Sequence, residues 1–410
     1  MRVFMIVTAL FLVLFLTLIY WLLAFPISAW FVVHVSCPRR LRRFPGEPAF
    51  PVNLIVPCRG SNSYLERNLR AFASQDYPRY RATFVTNTKE DEANAVIASV
   101  AHGNPHVRQL VAGVSEACAN KVYAQIVAVQ SEPRSEVFLF GDSDMRPEAN
   151  WIREMVRPFL DPRVSVTTSH RWITPDARGF APSLYTILCG YSCVGLASPF
   201  LALVWGGAFG IRRTAYADMG IADLWSTTAS DDIALSNRMA ERRIRPCYVS
   251  RGVSASRECH RSLRAMMKWY NRQSLTAKLH HFHNWLAGLA IETLVSLAWA
   301  GSLVLLVVEA AAGSLEYHAL AAPAIMVCIM ASSLITKLTY PERRDIPLWQ
   351  WALVTLIAHF IVAASLWYSA FQSSMTWGSF TYTVGRDGKV IRVDTMSSTA
   401  SASDKPEENP

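Results

Sequence analysis

Glu136-Val137-Phe138-Leu139-Phe140-Gly141-Asp142-Ser143-Asp144 is the stretch on which the reading of this chain turns. Its apolar run has the length and flanks of a buried strand, and Gly141 breaks the pattern. Two carboxylates, Asp142 and Asp144, follow at once on one side of an extended turn. Hard divalent cations take oxygen ligands, and Mg2+ or Mn2+ commonly bridges a carboxylate to a substrate diphosphate. Alone, such a loop is weak evidence, because aspartate also favours turns and helix N-caps.

Working outward, the segments on either side share this organisation. Val52-Asn53-Leu54-Ile55-Val56-Pro57 is a short strand pattern ending at a breaker, and Ser63 to Ser74 has helical spacing. Ala82 to Asn87 reads as the next strand, Lys121 to Gln130 as a helix, and Glu136 to Phe140 as a third strand. This alternation predicts an α/β fold over about Pro51 to Arg257, with a mostly parallel sheet and helices on both faces. Ligands on such sheets bind beyond the carboxyl ends of the strands, which is where the acidic cluster falls.

The α/β segment is flanked by apolar ones. The chain has 410 residues, 51% hydrophobic and only 17% charged, a mixture expected of a folded domain joined to membrane spans. Val3 to Val35 is apolar almost throughout, longer than the roughly 20 residues that cross a bilayer, and no small-x-small cleavage site follows it. Trp285 to Ala311, Ala319 to Ile335 and Leu348 to Phe371 are further apolar segments. Arg39, Arg40, Arg42 and Arg43 place the middle of the chain in the cytosol by the positive-inside rule, and Lys337, Arg343 and Arg344 place a later link there too. The last segment reads either as a third crossing or as a re-entrant or interfacial helix. Between the domain and these segments, Ser262 to His283 mixes cations with Leu263, Met266, Trp269, Tyr270 and Leu275. It is expected to lie on the membrane surface, the competing reading being an ordinary packing helix.

The divisions expected are an anchor at 1–36, a cytosolic catalytic domain at 37–260, a surface helix at 261–284, membrane segments at 285–371, a cytosolic element at 372–396 and a disordered tail at 397–410. The net charge of +9 gathers beside the apolar segments. No basic run has the aromatic interleaving of a nucleic-acid module, so a membrane surface is the expected partner and nucleic acid is not. The eight cysteines form no CxxC pair, which argues against a zinc site and for reduced thiols.

Further candidates for chemistry lie along the chain. Asp231-Asp232 precede a helical pattern from Ile233 to Arg242. Adjacent carboxylates there serve as helix caps, or as a pair in which like charge raises one pKa toward that of a general base. The glycines of Trp205-Gly206-Gly207-Ala208 permit close backbone approach. Lys121, after Asn120 at a helix head, is a solvated lysine or a point charge for phosphate. Glu90-Asp91-Glu92 after the second strand is ordinary by itself. Glu292 and Glu309 are expected at membrane interfaces, near segment ends. His280, His281 and His283 read as a solvated cluster.

Taken in order, Pro57-Cys58-Arg59-Gly60, the acidic run, Asn120-Lys121, Asp142-Ser143-Asp144, Gly206-Gly207, Asp231-Asp232 and the aromatic-basic helix resemble the family 2 and family 21 glycosyltransferases, most closely the ceramide glucosyltransferases. Asn68-Leu69-x-x-Phe72 with Gln75-Asp76-Tyr77-Pro78, and Trp377-Gly378-x-Phe380-x-Tyr382, are similar to early and C-terminal elements of that family. The resemblance implies a GT-A-type nucleotide-sugar-binding domain, a UDP-sugar donor, Mn2+ or Mg2+, and inversion at the anomeric carbon. By position it implies Asp91 in the nucleotide site, Asp142 and Asp144 as the metal pair, and Asp232 as the base. The family's Gln/Arg-x-x-Arg-Trp motif is matched by Trp269, but Ala265 and Lys268 replace its first residue and its arginine.

The resulting expectation is a membrane glycosyltransferase moving a hexose, typically glucose, from a UDP-sugar to a lipid hydroxyl, with ceramide as acceptor. Lys121, Lys268 and Trp269 join Asp91 and Asp142 as donor-site candidates. The host membrane would be a bacterial inner membrane or that of the Golgi or ER. Three alternatives compete: transfer to a hopanoid or polyprenyl phosphate, a processive polysaccharide synthase, and a non-catalytic membrane scaffold.

Overall fold

The strand opened by Val52 is the centre of the fold. The computed structural model describes residues 22–24, 26–175, 178–257, 260–313, 321–340, 346–377, 380–385 and 388–395. The expected tail from 397, most of the N-terminal apolar segment, Arg343, Arg344 and Gly378 lie outside them.

β1 (Val52–Pro57) pairs in parallel with β2 (Tyr80–Thr86) on one side and β4 (Val137–Gly141) on the other. β3 (Val107–Val111) adds in parallel to β2 at the edge. The remaining strands change direction. β7 (Ala208–Arg212) is antiparallel to both β4 and β5 (Val166–Thr168), and β8 (Cys247–Tyr248) closes the sheet parallel to β5. The order is β3-β2-β1-β4-β7-β5-β8, a mostly parallel mixed sheet. β6 (Arg171–Ile173) and β9 (Ser254–Ser256) form a separate parallel pair.

Alternate side chains of a strand enter opposite faces. Leu54, Val56 and Leu139 therefore join Phe72 and Trp151 in one core, whereas Ile55, Val85, Phe138 and Phe140 join Val122 and Trp225 in the other. Phe72, Phe138 and Phe140 are fully buried, each burial contributing about 1.5–3 kcal/mol. The helices that make these layers are α1 (Leu65–Ala73), α2 (Ala93–Ala101), α3 (Asn120–Ser131) and α4 (Trp151–Val156).

Two elements depart from the expected organisation. β3 is absent from the sequence reading, because an edge strand of Val-Arg-Gln-Leu-Val carries too little apolar character to stand out. α5 (Phe180–Ala197) falls within the span expected to be a soluble domain, yet it is long and apolar enough to cross a membrane. Most of its surface is buried, against Trp172, Trp351 and Tyr340 among others.

α6 (Asp231–Glu241) carries the second acidic pair at its head, and α7 (Leu263–His280) leads from the sheet domain to the apolar helices. In α7, Met266 and Leu275 are buried, and the helix packs on α5, α8 (Phe282–Ala312) and α10 (Leu348–Ala370). The packing-helix reading thus describes one face, while Leu263 and Lys268 are exposed on another. α9 (Ala321–Thr339) fills the space beside α10. Among the described residues, Leu22–Arg40, α5, α8 and α10 are long and apolar enough to span a membrane, and α9 contains a shorter apolar helix. Leu297, Val304, Val307, Val327, Leu353 and Ile357 are exposed on these helices, an apolar surface that water would not tolerate at this extent.

The C-terminal strands β10 (Ser374–Trp377), β11 (Phe380–Val384) and β12 (Val390–Thr395) form an antiparallel sheet. It docks on the seven-stranded sheet domain. Met375, Tyr382 and Val384 enter the second core, and the Val390 amide donates to Thr227 O at 2.8 Å. The seven described cysteines are all free.

Candidate active site

The acidic loop after β4 is held by groups from three parts of the chain. The side chain of Phe72 lies directly beneath Gly141, where a Cβ would come within 2.8 Å of its ring. Asn68 Nδ2 donates to Ser143 O at 3.0 Å, and Ser256 Oγ donates to Asp144 O at 2.7 Å. The Asp142 amide donates to Gly207 O at 3.1 Å. The turn is thus fixed by its backbone, leaving both carboxylates for other partners.

Lys121, in the first turn of α3, meets Asp142 Oδ1 at 2.8 Å and Asp231 Oδ2 at 3.5 Å. Burial works to depress its ammonium, but Asp142 and Asp231 outweigh burial and hold its pKa above the usual lysine range. Burial likewise works to raise Asp142, and Lys121 and Arg171 overcome it, keeping that carboxyl below its usual value. Arg171 of β6 forms an ion pair with Asp144 and donates to the Tyr185 hydroxyl at 3.0 Å.

The second acidic pair sits at the head of α6 with divided roles. Asp231 is buried, and accepts from Gln125 Nε2 at 2.7 Å. Burial pushes its carboxyl up to about 6, Lys121 opposing and Asp232 reinforcing the shift. Both residues line the cavity, and Asp232 is the more exposed of the two. Its Oδ2 accepts from the Gly206 amide at 2.8 Å, and its Oδ1 accepts from Ser230 Oγ at 2.7 Å and the Ile233 amide at 2.8 Å. A carboxylate has about four acceptor positions, so these three bonds fix Asp232 and leave one free.

Gly206 and Gly207 lie between the two acidic pairs. A Cβ on Gly206 would be 2.8 Å from Asp231 Oδ1 and 3.0 Å from Asp232 Oδ2, and one on Gly207 would be 2.6 Å from Asp142 Oδ2. Neither glycine needs a left-handed backbone; both are required because carboxylates occupy the side-chain space.

Pro57, Arg59, Asn87, Asn120, Asp142 and Asp232 share the wall of one cavity of about 970 Å³. It lies at the carboxyl ends of β1, β2 and β4, where the sheet topology predicts a ligand. Trp269, Tyr270 and Arg272 of α7 line it too. From there it continues between the apolar helices, past Ile291, Val295, Val362 and Leu366.

Two expected site residues fall outside this cavity. Lys268 is exposed and does not line it; Arg272, one helical turn further along, does. Asp91 also stays off the wall, its Oδ1 accepting from the amides of Gly60 at 2.8 Å and Ala93 at 3.0 Å. It braces the β1 loop whose Arg59 does reach the cavity. The structure adds Gln125, Arg171 and Arg272 to the residues expected from sequence. Gln125 is four residues after Lys121, a helical spacing that places both on one face; Arg171 comes from a three-residue strand with no spacing signal.

The model of glycosyl transferase family 21 matches residues 17–390. The chain belongs to glycosyl transferase family 21. With its mixed sheet, this family 21 member has the GT-A-type α/β fold that the resemblance implied, flanked by helices of membrane-spanning length. It is 20% identical to ceramide glucosyltransferase 1 of Caenorhabditis elegans over 269 residues, covering 62% of this chain and 56% of that relative. The chain thus matches little more than half the relative's length. The mannosyltransferase PcManGT from Pyrobaculum calidifontis, solved with GDP-Man and Mn2+, aligns at a TM-score of 0.45 and 17% identity, covering 84% of this chain and 99% of that one. GalNAc-T7 with UDP, GalNAc and Mn2+ aligns at 0.40 and 12%, covering 54% and 48%.

Among the described residues, no three His, Cys, Asp or Glu side chains form a closed metal cage. The acidic loop does suit a cation that arrives with a diphosphate, since Mg2+ and its relatives are commonly held by one or two carboxylates plus substrate oxygens. Among the described residues, Asp144 Oδ1 is buried without a hydrogen-bond partner, an acceptor with its lone pairs unused. The donor set fits on chemical grounds.

Proposed function

We propose that this protein is an inverting glycosyltransferase that moves a hexose from a UDP-sugar to the hydroxyl of a membrane lipid. Glucose as the sugar and ceramide as the acceptor follow the C. elegans relative's name. The observation that carries the reading is the continuous cavity, which joins Asp142, Asp144 and Asp232 to the apolar side chains of α8 and α10. A site for two water-soluble substrates has no need of that second half. The catalytic domain faces the cytosol, as the four arginines at 39–43 favour.

The nucleoside lies over the ends of β1 and β2, against Arg59, Asn87 and Asn120. Lys121 and Arg272 supply positive charge toward the diphosphate. Asp142 and Asp144 would hold a divalent cation, Mn2+ or Mg2+, which would neutralise charge on the departing nucleoside diphosphate. Asp232 takes the proton of the lipid hydroxyl as its oxygen bonds to the anomeric carbon. The bond from that carbon to the phosphate oxygen breaks, UDP leaves, and the configuration inverts. Asp231 positions this base from behind, itself fixed by Gln125 and Lys121. Bringing the lipid to a site among apolar helices avoids exposing its tails, at about 0.8 kcal/mol per CH₂.

The test is to incubate the detergent-purified full chain with Mn2+, a ceramide-containing lipid extract and each common UDP-sugar in turn. UDP release and products are followed by mass spectrometry and the anomer by NMR. One hexosyl-lipid of inverted configuration is expected. Polymer, or free sugar with no glycolipid, would contradict the reading.

A further inference from the structure

Deep in the apolar half of the cavity, His359 Nδ1 of α10 meets Glu292 Oε2 of α8 at 2.8 Å, and both residues line the wall. The sequence places Glu292 near a membrane interface. In the structure α8 begins at Phe282, so Glu292 is about ten residues, or roughly 15 Å, along the helix. His359 is midway along α10. Ionisable groups inside apolar helices are costly, and they are retained where they line a pathway or bind a substrate.

The surroundings define what this pair would bind. Tyr191, Tyr270, Ser332 and Thr355 line the same region. The Tyr191 hydroxyl is buried beside the Ser332 and Thr355 hydroxyls and within the field of Glu292. The lining cations Arg59, Lys121, Arg171 and Arg272 belong to the sheet domain and α7; α8, α9 and α10 contribute none to the wall among the described residues. A carboxylate, an imidazole and a hydroxyl without an adjacent cation recognise a neutral hydrogen-bonding group and disfavour a phosphate.

We propose that Glu292 and His359 form a recognition subsite for a second polar group of the acceptor lipid. That group is a neutral amide or hydroxyl, separate from the hydroxyl glycosylated at Asp232. The inference rests on the lipid-transferase reading and deepens it: it selects acceptors that carry a neutral amide or hydroxyl besides the reacting one, and disfavours polyprenyl phosphates.

The experiment measures binding of a short-chain fluorescent ceramide to the detergent-purified full chain, alongside UDP-glucose binding and turnover. Glu292→Gln, which keeps the shape, and His359→Leu should each weaken ceramide binding about tenfold. The double variant should do little more than the worse single one, because the two act as a unit. UDP-glucose affinity should stay within about twofold of the parent, reporting an intact fold. In the unmutated protein, a ceramide methylated on its amide and lacking the 3-hydroxyl should bind about tenfold more weakly. Unchanged ceramide binding in both variants, or equal binding of the two ceramides, would overturn the subsite while ceramide turnover upheld the transferase. Absence of any lipid product from the unmutated protein would overturn the transferase reading, and the subsite with it.

Discussion

Lys121 Nζ lies 2.8 Å from Asp142 Oδ1, and its position 3.5 Å from Asp231 makes it the cation between the two acidic pairs. The Asp231 side chain is only 4% exposed, so its charge has little water to turn to if the lysine is removed. Breaking a fully buried pair costs about 3–5 kcal/mol; with Asp142 28% exposed, about 2–3 kcal/mol is the expected loss for Lys121→Met. Chemical denaturation should show that loss, together with a raised KM for the UDP-sugar. Lys121→Arg should restore stability more than activity, since the larger guanidinium cannot occupy the same space between the carboxylates.

Gly207 is predicted to be intolerant for a steric reason. A Cβ there would sit 2.6 Å from Asp142 Oδ2 and closer still to the Trp205 ring. Gly207→Ala should reduce kcat/KM by about two orders of magnitude, the effect of displacing positioned groups by about 1 Å. Gly301→Ala is the contrasting control. Nothing lies within 4 Å of a Cβ at Gly301, and alanine improves helix propensity by about 1 kcal/mol, so activity should be retained.

His170 gives the site an acid limit. Burial pushes its imidazole down to about 4, its ring lying against Trp205 and its Nδ1 within hydrogen-bond distance of Arg171 O. A folded pKa below the unfolded value of 6.5 means the unfolded chain takes up the proton first. This contribution to stability is complete above pH about 6.5 and is lost as pH falls toward 4. Asp231, raised from 3.8 to about 6, works in the opposite sense, its share being present at low pH and lost as pH rises through 6. Melting curves of the parent and His170→Gln from pH 4 to 7.5 separate the two. The difference in Tm should shrink toward acid, and a constant difference would contradict the assignment.

Much of this architecture is legible in the sequence, for identifiable reasons. β1 and β4 are central strands buried on both faces, so their apolar runs are unmistakable, and the carboxylates after β4 follow from the chain order. What stays hidden is assembled from afar. Arg171 reaches Asp144 from a short strand, and Glu292 meets His359 only because α8 and α10 pack side by side. Lys268 matches a motif by position, which fixes a residue's number but not its helical face. Arg272, a turn away, has the face that the cavity sees.

Asp231 and Asp232 divide the work of the site, and Asp232→Asn separates their roles. The substitution preserves volume and most of the hydrogen bonds from Gly206, Ser230 and Ile233, while removing the group that takes the proton. UDP-glucose affinity and melting temperature should stay close to the parent's, and formation of glycolipid should fall by about 10²–10⁴-fold. Glycolipid formation within a few-fold of the parent would contradict the account and return the base to another residue of the cavity.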